Sequence, residues 1–315
     1  MYTTSLPDLD LRPAALSLVP AWARQPFGAS PWERSEPQHD GILCASAADG
    51  LRAMAATIPG AAALDRPELE DRVARIYEQL LGRLRRDGYH PLRFWNFVPG
   101  INEEVEPGLS RYMAFNAARF AAYRAVHARA GSLAQSIATA SCVGAPGVSF
   151  HVFCVATREQ ALPVENPRQV PAYEYSQRYG PQPPCFSRAM LVRSTPPLLV
   201  VGGTASVRGE DTVHARDLAG QVAETLVNLR TLLTAGCGGA QLTPHGDPLG
   251  AFVSVRAYVV DGASAVPVRD LLSEACGLAA HQIEMPVADL CRPDLLVEVE
   301  GIAMLDRVTL SPPPA

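Results

Sequence analysis

The sequence predicts an α+β protein. Four stretches carry apolar residues at helical spacing, and five short runs rich in valine and leucine have the character of β-strands. Several of these predicted strands follow one another along the chain without a helix between them. A strict alternation of strands and helices would favour a doubly wound parallel sheet, so the observed order favours α+β.

The composition indicates a folded chain with a buried core and an acidic balance. Of the 315 residues, 48% are hydrophobic, which suffices for one large domain or two ordinary ones. The net charge of −5 gives no broad cationic surface, so nucleic-acid binding is disfavoured. A small anion needs only a few local arginines and remains a possible ligand.

The cysteines predict a reducing compartment, and neither the cysteines nor the histidines predict a metal-binding site. The seven cysteines are scattered without a CxxC pair, and the seven histidines show no ligand spacing such as HExxH. We therefore expect no cofactor. The N-terminal stretch lacks the cationic flank and apolar run of a secretory signal, and no segment has about 18 uninterrupted apolar residues. We expect a cytoplasmic protein that does not bind membranes.

The predicted elements follow the apolar periodicity. The first forty residues hold six prolines, and we expect extended segments and turns there. Helices are predicted for residues 67–86, 110–130 and 215–235, and a shorter one follows Pro267. Strands are predicted to begin at Val148, Ala189, Pro197, Ala251 and Leu295. The proline-rich stretch 157–184 has no periodicity, but its tyrosines indicate an ordered, functional loop.

Two carboxylates share one face of the predicted last strand. In LLVEVEG, which begins at Leu295, alternation puts Glu298 and Glu300 on one face and the neighbouring valines on the other. If that face meets solvent, the two are ordinary surface acids. If it lines a dry pocket, burial and mutual repulsion raise the pKa of a carboxyl and leave one acid protonated near neutral pH.

Other candidate residues allow two interpretations each. Tyr112, Phe115 and Arg119 share one helix face, which fits aromatic packing with a snorkelling arginine and also fits anion binding. The run VVGGTASVRG has neither GxGxxG nor a GKS or GKT ending, so we interpret it as a strand that leads into a pocket. Cys291 has no identifiable activating partner, and we expect it to be a pocket wall at most.

Four separated blocks of the sequence resemble those of the chorismatase family. They occur in the expected order from about residue 90 onward, whereas the first ninety residues match poorly. The blocks are RFWNFVPGIN at 93–102 with RYMAFNAAR at 111–119, ENPRQVPAYEYSQRYGPQPPCFSRA at 165–189, GGTASVRGEDTVHARD at 202–217, and ADLCRPDLLVEVEG at 288–301.

The resemblance implies an α+β fold of RidA/YjgF-like (chorismate-mutase-like) modules, with helices packed on mixed β-sheet. We expect residues 1–150 to form a divergent N-terminal α+β module. Residues 151–315 are expected to form a C-terminal RidA/YjgF-like module with most of the active site. The oligomeric state stays open, and we prefer a monomer because a chain of this length has room for two modules that pack on each other.

The resemblance also implies an enzyme that releases pyruvate from chorismate without a cofactor. Chorismate carries a ring carboxylate, a hydroxyl group and an enolpyruvyl ether with a second carboxylate. Arg119 and Arg188 match family arginines that grip carboxylates, and Tyr112 and Tyr173 match tyrosines that donate hydrogen bonds beside them. Glu298 matches the acid that protonates the methylene carbon of the enolpyruvyl group and so forms an oxocarbenium ion.

The product and the reaction class stay open at this point. Ala205 and Cys291 match positions linked to the choice of product, and they lead us to expect 3- or 4-hydroxybenzoate rather than a dihydroxycyclohexadiene carboxylate. Glu300, Tyr179 and Thr204 are further site candidates, with Glu300 as an alternative acid. The rival classes are a RidA-like imine hydrolase and a non-catalytic small-molecule binding protein, because fold alone does not fix function.

Overall fold

The computed structural model describes residues 32–35, 42–47, 50–127 and 133–308. Its helices are α1 (Arg66–Arg86), α2 (Arg111–His127), α3 (Leu133–Ser136), α4 (Leu218–Gly239) and α5 (Ala265–Cys276). Its strands are β1 (Trp32–Ser35), β2 (Leu43–Ala47), β3 (Leu51–Ile58), β4 (His90–Pro99), β5 (Glu104–Glu106), β6 (Leu109–Ser110), β7 (Thr139–Ala145), β8 (Phe150–Thr157), β9 (Leu162–Val164), β10 (Ala189–Val192), β11 (Leu198–Ala205), β12 (Val207–Arg208), β13 (Asp211–Thr212), β14 (Phe252–Val259), β15 (Ile283–Glu284) and β16 (Val297–Met304).

Two mixed sheets of six strands form the centre of the fold. The first has the order β1-β2-β3-β8-β4-β7, and the second has the order β15-β14-β16-β11-β10-β9. Each contains one parallel pair of neighbours, β4 with β7 in the first and β14 with β15 in the second, and its other pairs are antiparallel. The predicted α+β class, with helices packed on mixed sheets, is confirmed.

The long helices begin where the sequence supplies an acidic cap. The Asp65 side chain accepts a hydrogen bond from the Glu68 amide at the start of α1, and Asp217 caps α4 in the same way. In α1 the apolar stripe that includes Val73 and Leu80 is buried. This stripe packs on the outer face of the first sheet and fixes the helix there.

Three apolar clusters define four layers. In the first cluster, helices α1 and α2 pack on the outer face of the first sheet. In the second cluster, helices α4 and α5 pack on the outer face of the second sheet. The third lies between the two sheets and includes Trp95, Phe153, Tyr258 and Ile302. The two sheets therefore pack face to face, with a helical layer outside each.

The connections between the halves meet at the β7 edge of the first sheet. The amide of Ser187 donates to the carbonyl of Ala138 at 3.2 Å, and the amide of Gly144 donates to the carbonyl of Asp289 at 2.7 Å. These bonds bring the proline-rich loop and the segment before β16 against the same edge. The candidate site forms at this place.

Predicted and observed elements agree for the strongly periodic segments. The predicted helices correspond to α1, α2, α4 and α5, and the predicted strands to β8, β10, β11, β14 and β16. Strands β3, β4 and β7 were not predicted, because they carry alanine, glycine or proline in place of a continuous β-branched pattern. Except for β1, the first forty residues lie outside the described residues.

The predicted module boundary at residue 150 coincides with the start of β8, which is an inner strand of the first sheet. Because β8 belongs to the first sheet, the first half of the chain extends through β8.

Of the helices in the described ranges, none combines the length and the apolar character that a membrane span requires.

Gly301 on β16 provides a test of how tightly the second sheet is packed. A Cβ atom there would lie 2.6 Å from the carbonyl oxygen of Ser254 on β14, which is a backbone atom that cannot rotate away. We expect Gly301→Ala to lower the free energy of unfolding by about 2 kcal/mol in urea titrations. The control is Gly238→Ala in α4, where nothing lies within 4 Å and alanine should be neutral or stabilising. Equal stabilities of the two variants would contradict this packing.

Candidate active site

A cavity of about 520 Å³ opens between the two halves of the chain. This volume is in the usual range for a site that encloses a small molecule. Its walls come from α2, β7, the proline-rich loop, β11, the segment before β16, and β16 itself. The predicted site residues that line it are Tyr112, Arg119, Tyr179, Arg188, Ala205, Cys291 and Glu298.

Arg119 on α2 is a buried cation without a counterion. Its side chain is 1% exposed, and its Nε and Nη2 atoms have no hydrogen-bond partner. Among the residues that the structure describes, its near neighbours are aromatic rings and thiols rather than carboxylates, with Tyr77 at 5.5 Å and Phe115 at 6.0 Å from the guanidinium carbon. A charge in this setting is costly unless an anion compensates it.

Two further arginines line the cavity. Arg188 donates from Nη2 to the Tyr175 hydroxyl at 2.7 Å and to the carbonyl of Val170 at 3.0 Å, while its Nε atom is unpartnered. Arg292 donates to the carbonyl of Glu210 at 2.8 Å and lies over the Tyr179 ring at 4.1 Å. The acceptors of these hydrogen bonds are neutral, although the charge of Arg188 also acts on the nearby Glu165 carboxyl.

Glu298 on β16 reaches the cavity because β11 opposes it with small residues. In the register of the two strands Glu298 is paired with Ala205, and the register shifts between Val201 and Thr204. A Cβ atom on Gly203 would lie 2.1 Å from Oε1 of Glu298. The second glycine of the GGTAS run therefore makes room for this carboxyl group, as a strand that leads into a pocket requires.

The Glu298 carboxyl is set up to carry a proton near neutral pH. Burial raises its pKa to about 8, and the negative charge of Glu300 adds to this increase. The charges of Arg93, Arg188 and Arg292 act in the opposite direction without cancelling it. This pocket-lining acid is thus a candidate proton donor.

Glu300, the alternative acid, does not line the cavity. Its carboxylate is fully buried between the sheets, where it forms an ion pair with Arg93 and accepts a hydrogen bond from Trp95 Nε1 at 2.8 Å. Ser141 also contacts it. The role of proton donor to a ligand therefore does not fit Glu300, because its oxygens already accept hydrogen bonds within the protein.

Two more predicted residues lie away from the cavity wall. Tyr173 packs half-buried against the first apolar cluster from within the short 3-10 helix Ala172–Glu174, and the cavity is lined instead by Tyr175, which follows that helix. Thr204 is buried and donates to the carbonyl of Gly202 at 3.0 Å. Of the two tyrosines of the YEY motif, the structure therefore places Tyr175 in the cavity wall, and the irregular loop sequence around them offers no long strand or helix period from which this could be predicted.

The two cysteine thiols in the cavity wall, those of Cys142 and Cys291, are neutral. Burial, followed by the charge of Glu298, raises the pKa of Cys291 to about 12, and burial raises that of Cys142 well above its usual value. The Cys142 thiol lines the cavity and is close enough to both Arg119 and Glu298 for their charges to affect its pKa. In the described ranges, no group of three or more His, Cys, Asp or Glu side chains is arranged to hold a metal ion.

The cavity therefore defines an anion site with a protonated carboxyl in its wall. The family profile described as "Chorismatase FkbO/Hyg5-like, N-terminal" matches residues 31–156. The match begins well before residue 90, so the family likeness extends further towards the N terminus than the sequence blocks indicated.

Three relatives agree with this match. The chain is 33% identical to a 3-hydroxybenzoate synthase of Streptomyces hygroscopicus over 235 residues, which is 72% of this chain and 68% of that protein. It is 31% identical to a chorismatase of Streptomyces rapamycinicus over 285 residues, covering 87% and 81% of the two chains. A chorismatase crystal structure superposes with a TM-score of 0.71 and 25% identity, covering 86% of this chain and 79% of the other.

The chain belongs to the chorismatase family. This confirms the family that the four sequence blocks indicated. A solved structure of the YjgF family from Mycobacterium tuberculosis is also similar, with 30% identity over 38% of this chain and a TM-score of 0.28.

The two fully buried arginines provide a matched test of the site. Arg119 has no counterion, so we expect Arg119→Met to leave the free energy of unfolding of the ligand-free protein unchanged or to raise it by up to about 3 kcal/mol. Arg93 is equally buried but is paired with Glu300, so Arg93→Met should lower that free energy by about 3 to 5 kcal/mol. Urea titrations measure both, and a comparable loss in the two variants would refute the contrast.

Proposed function

We propose that this protein cleaves chorismate and releases pyruvate, with Glu298 as the proton donor. Family membership supports the reaction, and so do relatives that are named chorismatase and 3-hydroxybenzoate synthase. Chorismate is a dianion with its carboxylates at two places on a small ring, and the cavity presents cations from two sides. A RidA-like imine hydrolase would not need two separate groups that grip carboxylates.

The single observation that carries the proposal is the uncompensated charge of Arg119. A buried guanidinium with unpartnered nitrogen atoms costs folding free energy, and a bidentate carboxylate restores its hydrogen bonds and its charge balance. Arg188 and Arg292 line the same cavity and are available to the second carboxylate. A non-catalytic binding protein would account for these cations but not for a neutral carboxyl beside them.

The chemistry follows from the protonation state of Glu298. An enol ether reacts when its methylene carbon accepts a proton, and this requires an acid that still holds its proton at working pH. Protonation gives an oxocarbenium ion, water adds to it, and the resulting hemiketal collapses to pyruvate. The carboxylate left on Glu298 then serves as the base for the water or for a ring proton.

We infer a hydroxybenzoate as the ring product. Release of pyruvate with addition of one water leaves a dihydroxycyclohexadiene carboxylate, and loss of one water from that ring gives the aromatic acid. The cavity wall near Glu298 includes the Ala205 methyl group and the neutral Cys291 thiol, which are poor groups for holding a water molecule for the diol outcome. The similar protein from Streptomyces hygroscopicus is named for 3-hydroxybenzoate.

We also infer that the protein works as a monomer in the cytoplasm. All seven cysteines are free thiols, as expected in a reducing compartment. The two sheets bury each other within one chain, so each already has a partner. Light scattering of the purified protein measures the mass, and a dimer or trimer would contradict the monomer.

The reaction is tested by incubating the purified protein with chorismate. Pyruvate is followed with lactate dehydrogenase, and the ring product is identified by chromatography and NMR. We expect equal amounts of pyruvate and hydroxybenzoate. Absence of pyruvate would overturn the proposed activity, while pyruvate with a dihydroxycyclohexadiene carboxylate would overturn only the product.

Substitution of Glu298 tests its role. Glu298→Gln keeps the shape of the side chain but has no acidic proton, so we expect kcat to fall by at least about a hundredfold with KM little changed. The control is Glu274→Gln on the exposed face of α5, which should behave as wild type. If Glu298→Gln retained full activity, another group would be the acid.

The pH profile gives a second test. Glu298 must be protonated to act, and its pKa is raised to about 8, so the active form is present below that pH and lost above it. We expect kcat/KM to fall about tenfold per pH unit above pH 8. A profile that instead falls above about pH 5 would mean that the acid has an ordinary carboxyl pKa.

A further inference from the structure

Glu300 is fixed more firmly than any other acid near the cavity. Its Oε2 atom contacts Nη2 of Arg93 and the hydroxyl of Ser141, and its Oε1 atom accepts from Trp95 Nε1 at 2.8 Å. The Tyr258 hydroxyl lies 3.4 Å from Oε1. Donors thus surround both oxygens and fix this carboxylate, the partner of Arg93 in an ion pair, in one position.

Glu298 is held in the opposite way. In the part of the chain that the structure describes, no side chain or amide donates a hydrogen bond to its carboxyl, which faces the cavity and is 5% exposed. It lies two residues before Glu300 on the same face of β16, so the two backbone positions are about 7 Å apart. At this distance in a dry interior a fixed negative charge acts strongly on its neighbour.

We propose that Glu300 is a positioning residue whose fixed negative charge, anchored by Arg93 and Trp95, keeps the proton on Glu298. The proposal rests on the proposed function only in naming that proton as the one given to the substrate. It assigns a second purpose to an interaction that otherwise serves to join the two sheets. The protonation state of Glu298 thus depends on the interface between the two sheets as well as on the cavity.

The charged and titratable groups around Glu298 act in two directions. Burial and the negative charge of Glu300 raise the pKa of Glu298, whereas the neighbouring cations lower it. The groups are Glu300 on the same strand, Arg93 on β4, Arg188 before β10, Arg292 and Cys291 before β16, and Cys142 on β7. On β14, Tyr258 is the register partner of Glu298 and Arg256 is that of Glu300, and both contact Oε1 of Glu300, at 3.4 Å from the Tyr258 hydroxyl and 4.0 Å from Nη1 of Arg256. After burial, the negative charge of Glu300 is the largest cause of the raised pKa of Glu298.

The test is a titration of Glu298 in the substrate-free protein. The C=O stretching band of its protonated carboxyl is followed by infrared difference spectroscopy against pH, and loss of the band in Glu298→Gln assigns it. We expect a midpoint near pH 8 in the wild type. In Glu300→Gln the midpoint should fall by about one pH unit or more, because the neutral amide no longer repels the carboxylate form.

A double variant guards against loss of folding in Glu300→Gln, which leaves Arg93 buried and unpaired. Arg93→Gln combined with Glu300→Gln removes both charges at once, so no buried ion is left alone. Because the effect of Glu300 on Glu298 exceeds that of Arg93, we expect its midpoint to lie below the wild-type value and above that of Glu300→Gln. Glu300→Asp, which keeps the charge, should restore most of the shift.

The outcomes separate this inference from the proposed function. A midpoint in Glu300→Gln or in the double variant equal to that of the wild type would overturn the inference, and so would a wild-type midpoint in the ordinary carboxyl range. The titration needs no chorismate, so it remains decisive even if no pyruvate is released. In the active enzyme, the alkaline limb of kcat/KM should move with the midpoint. A merely structural role would lower stability and leave that limb in place.

Discussion

The ion pair between Arg93 and Glu300 joins the two sheets at a place that water does not reach. A buried pair of charges repays its desolvation only if further hydrogen bonds complete it. Trp95 and Ser141 supply these bonds to the carboxylate, and the carbonyl of Val201 supplies one to the guanidinium. Residues of β4, β7, β11 and β16 are thereby held in one arrangement, and these strands or their neighbours form the cavity walls.

The catalytic arrangement depends on this constraint through the pleat of β16. Because side chains alternate along a strand, a glutamate two residues before Glu300 must share its face. The face is buried between the sheets as far as Glu300 and opens into the cavity at Glu298. The absence of a side chain on Gly203 provides the space for that carboxyl. Position on one strand therefore separates two chemically identical residues into a fixed anion and a neutral acid.

Arg119, in the part of the cavity wall that α2 provides, is buried at a cost in stability. Arg119 is surrounded by aromatic rings and has no carboxylate partner within the described residues, so its charge is satisfied only when an anion enters. The neutral tyrosines and thiols beside it do not compete for that anion. The cavity wall thus combines a guanidinium group surrounded by aromatic rings with a carboxyl group whose raised pKa keeps its proton near neutral pH.

The sequence by itself determined the α+β class, the long helices and the strands with β-branched residues, because apolar periodicity is a local property of the chain. It also determined that Glu298 and Glu300 share a face. Only the tertiary structure decided which of them lines the cavity and which is buried between the sheets, because burial, hydrogen-bond donors and neighbouring charges come from distant segments such as β4 and β7. The same reason explains why Tyr175 and Arg292, and not Tyr173, line the cavity: irregular loops carry no period that orients a side chain before the chain has folded.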